Sequence, residues 1–254
     1  MSASICLLFP DLLGTYGDSG NATILAQRLR WRGFEADVTV VRSGEAVPVG
    51  CDFYVVGGGE DLPQALAATQ LGAGSDSSPL RRAVEGGAVV LAVCAGLQIL
   101  GRTFGGPRGI SLPGVGLLDC TTRPGRRRCV GELAVEPSGD LGIAGLLSGY
   151  ENHAGLTTVG SGAAPLGTVR TGVGNGAGGR VDGARSGKVI GTYMHGPVLA
   201  RNPALADLLL SWVVGDLEPL DDRESDELRR QRLAGAGRGL RSRGWSSLGR
   251  RSGV

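Results

Sequence analysis

Residues 88–93 read A-V-V-L-A-V, with no polar position that could face water. A run this short has strand length, and a strand apolar at every residue must be covered on both faces. The same texture recurs in I-C-L-L-F (5–9) and in D-F-Y-V-V-G-G-G (52–59), which runs into three glycines. Between these runs lie helical patterns: N-A-T-I-L-A-Q-R-L-R-W-R-G (21–33), D-L-P-Q-A-L-A-A-T-Q-L (61–71) and P-L-R-R-A-V-E-G-G (79–87). E-A-D-V-T-V-V (35–41) alternates as a strand. Strands and helices in alternation predict an α/β protein, a mostly parallel sheet with helices on both faces.

From about residue 110 the pattern becomes more β-rich. Short candidate strands (128–136, 166–171, 179–185 and 188–195) are separated by Gly and Pro. G-Y-E-N-H-A-G (149–155) reads as turn-rich, and V-G-N-G-A-G-G-R (173–180) as a loop. That loop lacks the Lys-Ser/Thr of a phosphate cradle, and no P-loop occurs elsewhere. A helix is expected over 202–215. The division that follows is a domain over 1–216, a charged helix or linker over 217–234, and an Arg/Gly/Ser-rich tail, read as disordered, over 235–254.

Composition narrows the function. The net charge of +2 joins an acidic body to a basic end: after Glu227 come eight arginines and no acid. The body therefore carries no nucleic-acid footprint. Five cysteines without C-x-x-C spacing argue against a zinc site or a disulfide framework and fit a reducing compartment. No apolar stretch approaches the ~20 residues of a membrane span, and M-S-A-S-I-C-L-L-F-P-D has no signal-peptide pattern. A cytoplasmic protein is expected.

Cys94 follows the 88–93 run and precedes Ala95-Gly96 and a helical pattern. It should lie at the carboxyl end of a central strand, the edge where open α/β sheets bind ligands. A tight strand-to-helix turn requires small neighbours and lifts the side chain from the sheet, and the helix N-terminus favours a thiolate. The alternative is a buried, inert thiol. A nucleophile needs a base, and there are two histidines. His195 ends the strand pattern K-V-I-G-T-Y-M-H and is the better candidate; His153 is expected to shape the pocket. Gly57, Gly58 and Gly59 should open on the same edge, where backbone N–H groups can meet an oxyanion. G-D-S-G-N (17–21) has the look of a serine-protease signature, but Asp18 and Ser19 serve better there as helix N-caps.

With V-C-A-G-L-Q-I-L-G, G-Y-E-N-H-A-G and G-T-Y-M-H-G-P together, the chain resembles the class I glutamine amidotransferases, within them the cobyric-acid-synthase-like branch. T-Y-G-D-S-G-N and G-G-G-E-D-L-P-Q bring it towards the GatD-like glutaminase subunits, over roughly residues 4–215. The resemblance implies a flavodoxin-like sheet and L-glutamine as substrate. It implies Cys94 as nucleophile, His195 as base and acid, Gly58 or Gly59 with Ala95 at the oxyanion, and Arg128 at the substrate carboxylate. Arg126 and Arg127 lie too close in sequence to fix that choice. No metal or cofactor is expected in this chain. ATP and Mg would belong to a MurT-like, Mur-ligase-family partner that amidates the D-glutamate of lipid II, an acceptor able to draw the pair to the inner face of the membrane. The same chemistry serving another acceptor, such as a cobyrinate-like or pyridoxal-phosphate pathway, and a non-enzymatic regulatory protein are the alternatives.

Two departures from the family pattern stand out. The elbow reads A-V-C-A-G rather than G-x-C-x-G, and Pro197 replaces the Glu that many relatives carry two places after the histidine. The imidazole must be oriented by another group: Glu151, the backbone, or an acid of the partner.

Overall fold

The computed structural model describes residues 2–242. Its first half runs β1 (Ser2–Leu8), α1 (Gly20–Arg30), β2 (Glu35–Val41), β3 (Phe53–Val56), α2 (Asp61–Gln70), α3 (Pro79–Glu85), β4 (Val89–Val93) and α4 (Ala95–Leu100). Then come β5 (Thr103–Gly105), β6 (Ser111–Pro113), β7 (Cys120–Pro137), β8 (Leu147–Val159), β9 (Gly167–Thr171), β10 (Val181–Asp182), β11 (Ala184–Ser186) and β12 (Val189–Thr192). The chain closes with α5 (Val198–Arg201), α6 (Pro203–Val214) and α7 (Arg223–Ser242).

One sheet has the order β11-β12-β4-β3-β1-β2. All its pairings are parallel except β11 with β12. Its central strands β3 and β4 are buried at every residue, as their unbroken apolar sequence requires. Ser78 caps α3 by accepting from the Arg81 N–H, and Pro79 occupies the first helical turn, where its missing N–H costs nothing.

The second sheet has the order β10-β9-β7-β5-β6, with β8 against β7. Here the turn-rich reading of 149–155 is corrected: those residues lie inside β8, antiparallel to β7 from Cys120↔Val159 to Val135↔Leu147. Glycines at 149 and 155 suggested turns, yet β7 supplies the pairing. Packing explains both: a side chain at Gly149 would strike Met194, and one at Gly155 would strike Gln98 and Tyr193. The register shifts between Pro124 and Cys129, where proline has no N–H for the ladder.

A single core joins the two sheets, from Ile5, Val55 and Leu91 to Leu133, Leu147 and Val169. The helix expected to stop by 234 continues through Ser242 as α7. Acidic Glu224 and Asp226 in its first turn suit the helix dipole. Residues 243–254, the remainder of the tail read as disordered, lie outside the described residues. Among the described residues no helix is long and apolar enough to cross a membrane.

Candidate active site

Four elements of the parallel sheet deliver side chains to one edge. β4 leads into Cys94, β3 into Gly57-Gly58-Gly59, β12 to His195, and the segment after β1 carries Tyr16 and Asp18. The register fixes this, because Thr192 of β12 lies opposite Val93 of β4. His195 also ties the two sheets together, exchanging backbone hydrogen bonds with Tyr150 of β8 at 2.9 and 3.0 Å.

Cys94 sits on the expected elbow. Its φ of 53° and ψ of −105° lie outside the regions natural to a side-chain-bearing residue, a strain of order 1–3 kcal/mol that the surroundings must hold. They hold it from both sides: Cys94 N–H donates to Thr192 O at 2.8 Å, and Cys94 O accepts from Gln98 N–H at 3.1 Å. Gly96 is required because a Cβ there would come within 2.6 Å of Val56 O.

The group that orients His195 is Asp18. Its Oδ2 lies 2.9 Å from His195 Nδ1 and accepts the Gly58 N–H at 2.9 Å, with Asp18 fully buried. This corrects three expectations. Asp18 is not a side-chain cap; Ser19 occupies the N-cap of α1 without a capping bond. Glu151 does not orient His195: its carboxylate accepts the N–H groups of Val173 and Gly174, both at 2.8 Å, and so pins that loop. The Gly58 N–H, already bound to Asp18, is not free for an oxyanion. The signal for Asp18 was present in T-Y-G-D-S-G-N, but the acid is 177 residues from the histidine, a pairing that only the topology reveals.

Burial disfavours a charged imidazole, but the hydrogen bond to Asp18 and the electrostatic pull of the neighbouring Cys94 sulfur outweigh it and raise His195 to about 9. Nε2 of His195 has no hydrogen-bond partner among the described residues, which leaves it to exchange a proton with the thiol or a leaving group. The N–H groups of Gly59 and Ala95 also have no partner among the described residues, and both residues line one cavity with Cys94. Two preformed donors beside a nucleophile can hold the oxyanion of an attacked carbonyl.

That cavity, about 290 Å³, is also lined by Arg128, Asn152 and His153. Arg126 and Arg127 are not among its lining, whereas Arg123, absent from the expected set, is. Arg128 is fixed by Asn152 Oδ1 at 2.5 Å from Nε and by the Tyr16 hydroxyl at 3.0 Å from a terminal nitrogen. His153 stacks on Tyr193, rings 3.7 Å apart, and its Nδ1 lies 3.1 Å from Gly155 O. Beneath the site, Gln64 donates to Gln98, and Gln98 to the Tyr193 hydroxyl. Among the described residues no group of three or more His, Cys, Asp or Glu could hold a metal ion.

The CobB/CobQ-like glutamine amidotransferase domain matches residues 4–203. The GatD subunit of lipid II isoglutaminyl synthase (glutamine-hydrolyzing) from Staphylococcus aureus (strain N315) is 35% identical over 201 residues, 79% of each chain. The subunit of the same name from Streptococcus pneumoniae is 30% identical over 210 residues, 82% of this chain and 79% of that one. Among solved structures, a glutamine amidotransferase from Thermotoga maritima aligns over 94% of this chain and 92% of its own, with a TM-score of 0.53 and 15% identity. The glutaminase domain of Trypanosoma brucei CTPS with bound acivicin aligns over 84% and 93%, with a TM-score of 0.52 and 12% identity. At such identities the structural likeness speaks for the fold.

Proposed function

Because this chain belongs to the CobB/CobQ-like glutamine amidotransferase family, we propose that it is the glutaminase subunit of a lipid II isoglutaminyl synthase. The observation that carries the reading is the meeting of Cys94, His195 and Asp18 around Gly58. An ideal Cβ built on Gly58 would lie 2.7 Å from His195 Cε1, 3.2 Å from Asp18 Oδ2 and 3.2 Å from Cys94 Cβ. Relatives bearing the GatD name at 35% and 30% identity supply the acceptor pathway.

In this mechanism the Cys94 sulfur attacks the side-chain amide carbon of L-glutamine. The oxyanion is held by the Gly59 and Ala95 N–H groups. The His195 imidazolium, kept charged by Asp18, gives its proton to the leaving nitrogen, so ammonia departs and a γ-glutamyl thioester remains. Water then attacks the thioester, His195 takes its proton, and glutamate leaves as the thiol is restored. Arg128 grips the α-carboxylate, since a guanidinium matches that group in shape and charge. His153, stacked on Tyr193, forms part of the pocket wall.

The ammonia passes to a MurT-like ligase, which uses ATP and Mg to amidate the α-carboxyl of D-glutamate in lipid II. Residues 1–216 form the amidotransferase unit. With Asp18 supplied from within, glutamine hydrolysis needs no acid from the partner. The test is ammonia release from glutamine by the chain alone and with its ligase, for wild type and Cys94→Ala. Wild type alone should be active, the ligase should change the rate by no more than the 5–150-fold of ordinary allosteric coupling, and Cys94→Ala should be inactive in both settings. Normal release by Cys94→Ala would reject the reading.

A further inference from the structure

We infer that Tyr16 is a specificity-determining residue, its phenolic O–H forming, with Arg128, the seat for the substrate's α-carboxylate. The inference rests on the glutaminase reading above.

A phenol oxygen can accept two hydrogen bonds and donate one. Both acceptor places on Tyr16 are filled: Arg128 Nη2 donates at 3.0 Å and Asn152 Nδ2 at 3.0 Å. The hydroxyl proton has no acceptor among the described residues. Asn152 Oδ1 takes the Nε–H of Arg128 at 2.5 Å and closes a triangle that fixes the guanidinium plane. Arg128 Nη1, too, has no partner among the described residues. The unspent donors of the triangle therefore include the Tyr16 O–H and the Nη1 N–H groups beside a positive charge, and a carboxylate, two acceptors on one carbon, can take one from each residue.

The placement of the ring adds a second constraint. It lies against the His195 imidazole, with centroids 4.6 Å apart and planes inclined at 55°. Tyr16 thus touches the carboxylate seat with its hydroxyl and the proton-transfer group with its ring. It also shares its short segment with Asp18. Glutamine has the matching layout, with its carboxylate at one end and its reacting amide at the other. A side-chain amide without a free α-carboxylate would forgo the charge-assisted bonds to Arg128 and Tyr16, which penalises such substrates.

Two substrates and two variants test this. For Tyr16→Phe, which keeps the ring, the glutamine KM should rise roughly 10- to 100-fold, as for loss of a hydrogen bond to a charged group, with kcat within about threefold. For L-glutamine α-amide, which lacks the charge, KM should be the same in wild type and variant. Equal shifts for both substrates, or none for either, would overturn the inference. Calorimetric binding of glutamine to Cys94→Ala, with and without Tyr16→Phe, separates this from the reaction itself. Weaker binding in the double variant supports the seat whether or not the wild type hydrolyses glutamine. Equal binding in a chain whose wild type is active removes Tyr16 alone, and absence of binding in Cys94→Ala removes both readings.

Discussion

Asp18 Oδ2 serves two donors at once, the His195 imidazole and the Gly58 N–H. Substituting asparagine keeps its size but removes the charge that holds His195 near 9. Asp18→Asn should therefore lower kcat by about 10²–10⁴-fold, the range for losing an orienting acid or a tuned proton donor. The inflection set by His195 should move down towards the ordinary histidine range, and a kcat/KM–pH profile reads both effects. Gly58→Ala is the steric counterpart. Its methyl would sit 2.7 Å from His195 Cε1, closer than real contacts allow. We expect loss of glutamine hydrolysis with an unchanged far-ultraviolet circular dichroism spectrum; activity within tenfold of wild type would place the imidazole elsewhere.

The β4–α4 elbow was legible in the sequence because all its determinants are local: an apolar strand, small residues at 95 and 96, and a helical pattern. β8 was not, since its glycines are explained by Met194 and Tyr193, which approach from another part of the chain. Asp18 was hidden for the same reason. A loop acid near a helix start has a bland local use, and its partner lies across the fold. The C-terminal elements are held by another distant contact. Arg28 of α1, almost wholly buried, pairs with Asp207 of α6 and with Asp222 just before α7, each at 2.7 Å. Arg32 joins Asp207 as well. Arg28→Ala leaves two carboxylates without their shared cation. It should destabilise by about 2–3 kcal/mol, less than for a fully enclosed pair because the carboxylates stay a quarter exposed. Urea unfolding measures this, and Asp222→Asn, which spares the Arg28–Asp207 pair, should cost less.

His195 joins the two sheets as well as carrying the proposed chemistry, so its charge state belongs to the stability of the whole molecule. An unfolded histidine titrates near ~6.5, whereas folded His195 is raised to about 9 because the Asp18 hydrogen bond and the neighbouring Cys94 sulfur overcome burial. The folded chain thus holds a proton that the unfolded chain releases, and by linkage stability falls as pH rises between those values. The contribution is complete below ~6.5 and lost as pH rises through about 9. Asp182 shifts in the same sense, since burial raises it to about 6 against the bonds from Thr192 and Tyr193, but its titration is largely over by pH 6.5. Cys6 and Cys120, pushed up to about 12 chiefly by burial, weaken the fold only where unfolded thiols ionise, near and above ~8.5. The interval from 6.5 to 8.5 therefore isolates His195. Over it the wild type should lose on the order of 2 kcal/mol, a fall in Tm of roughly 4–8 °C for a chain of this size. Asp18→Asn should flatten that decline while leaving the loss above 8.5 in place. Scanning calorimetry of both proteins across the interval decides it: a wild-type Tm that stays level from 6.5 to 8.5 would mean that Asp18 does not hold the imidazole charged.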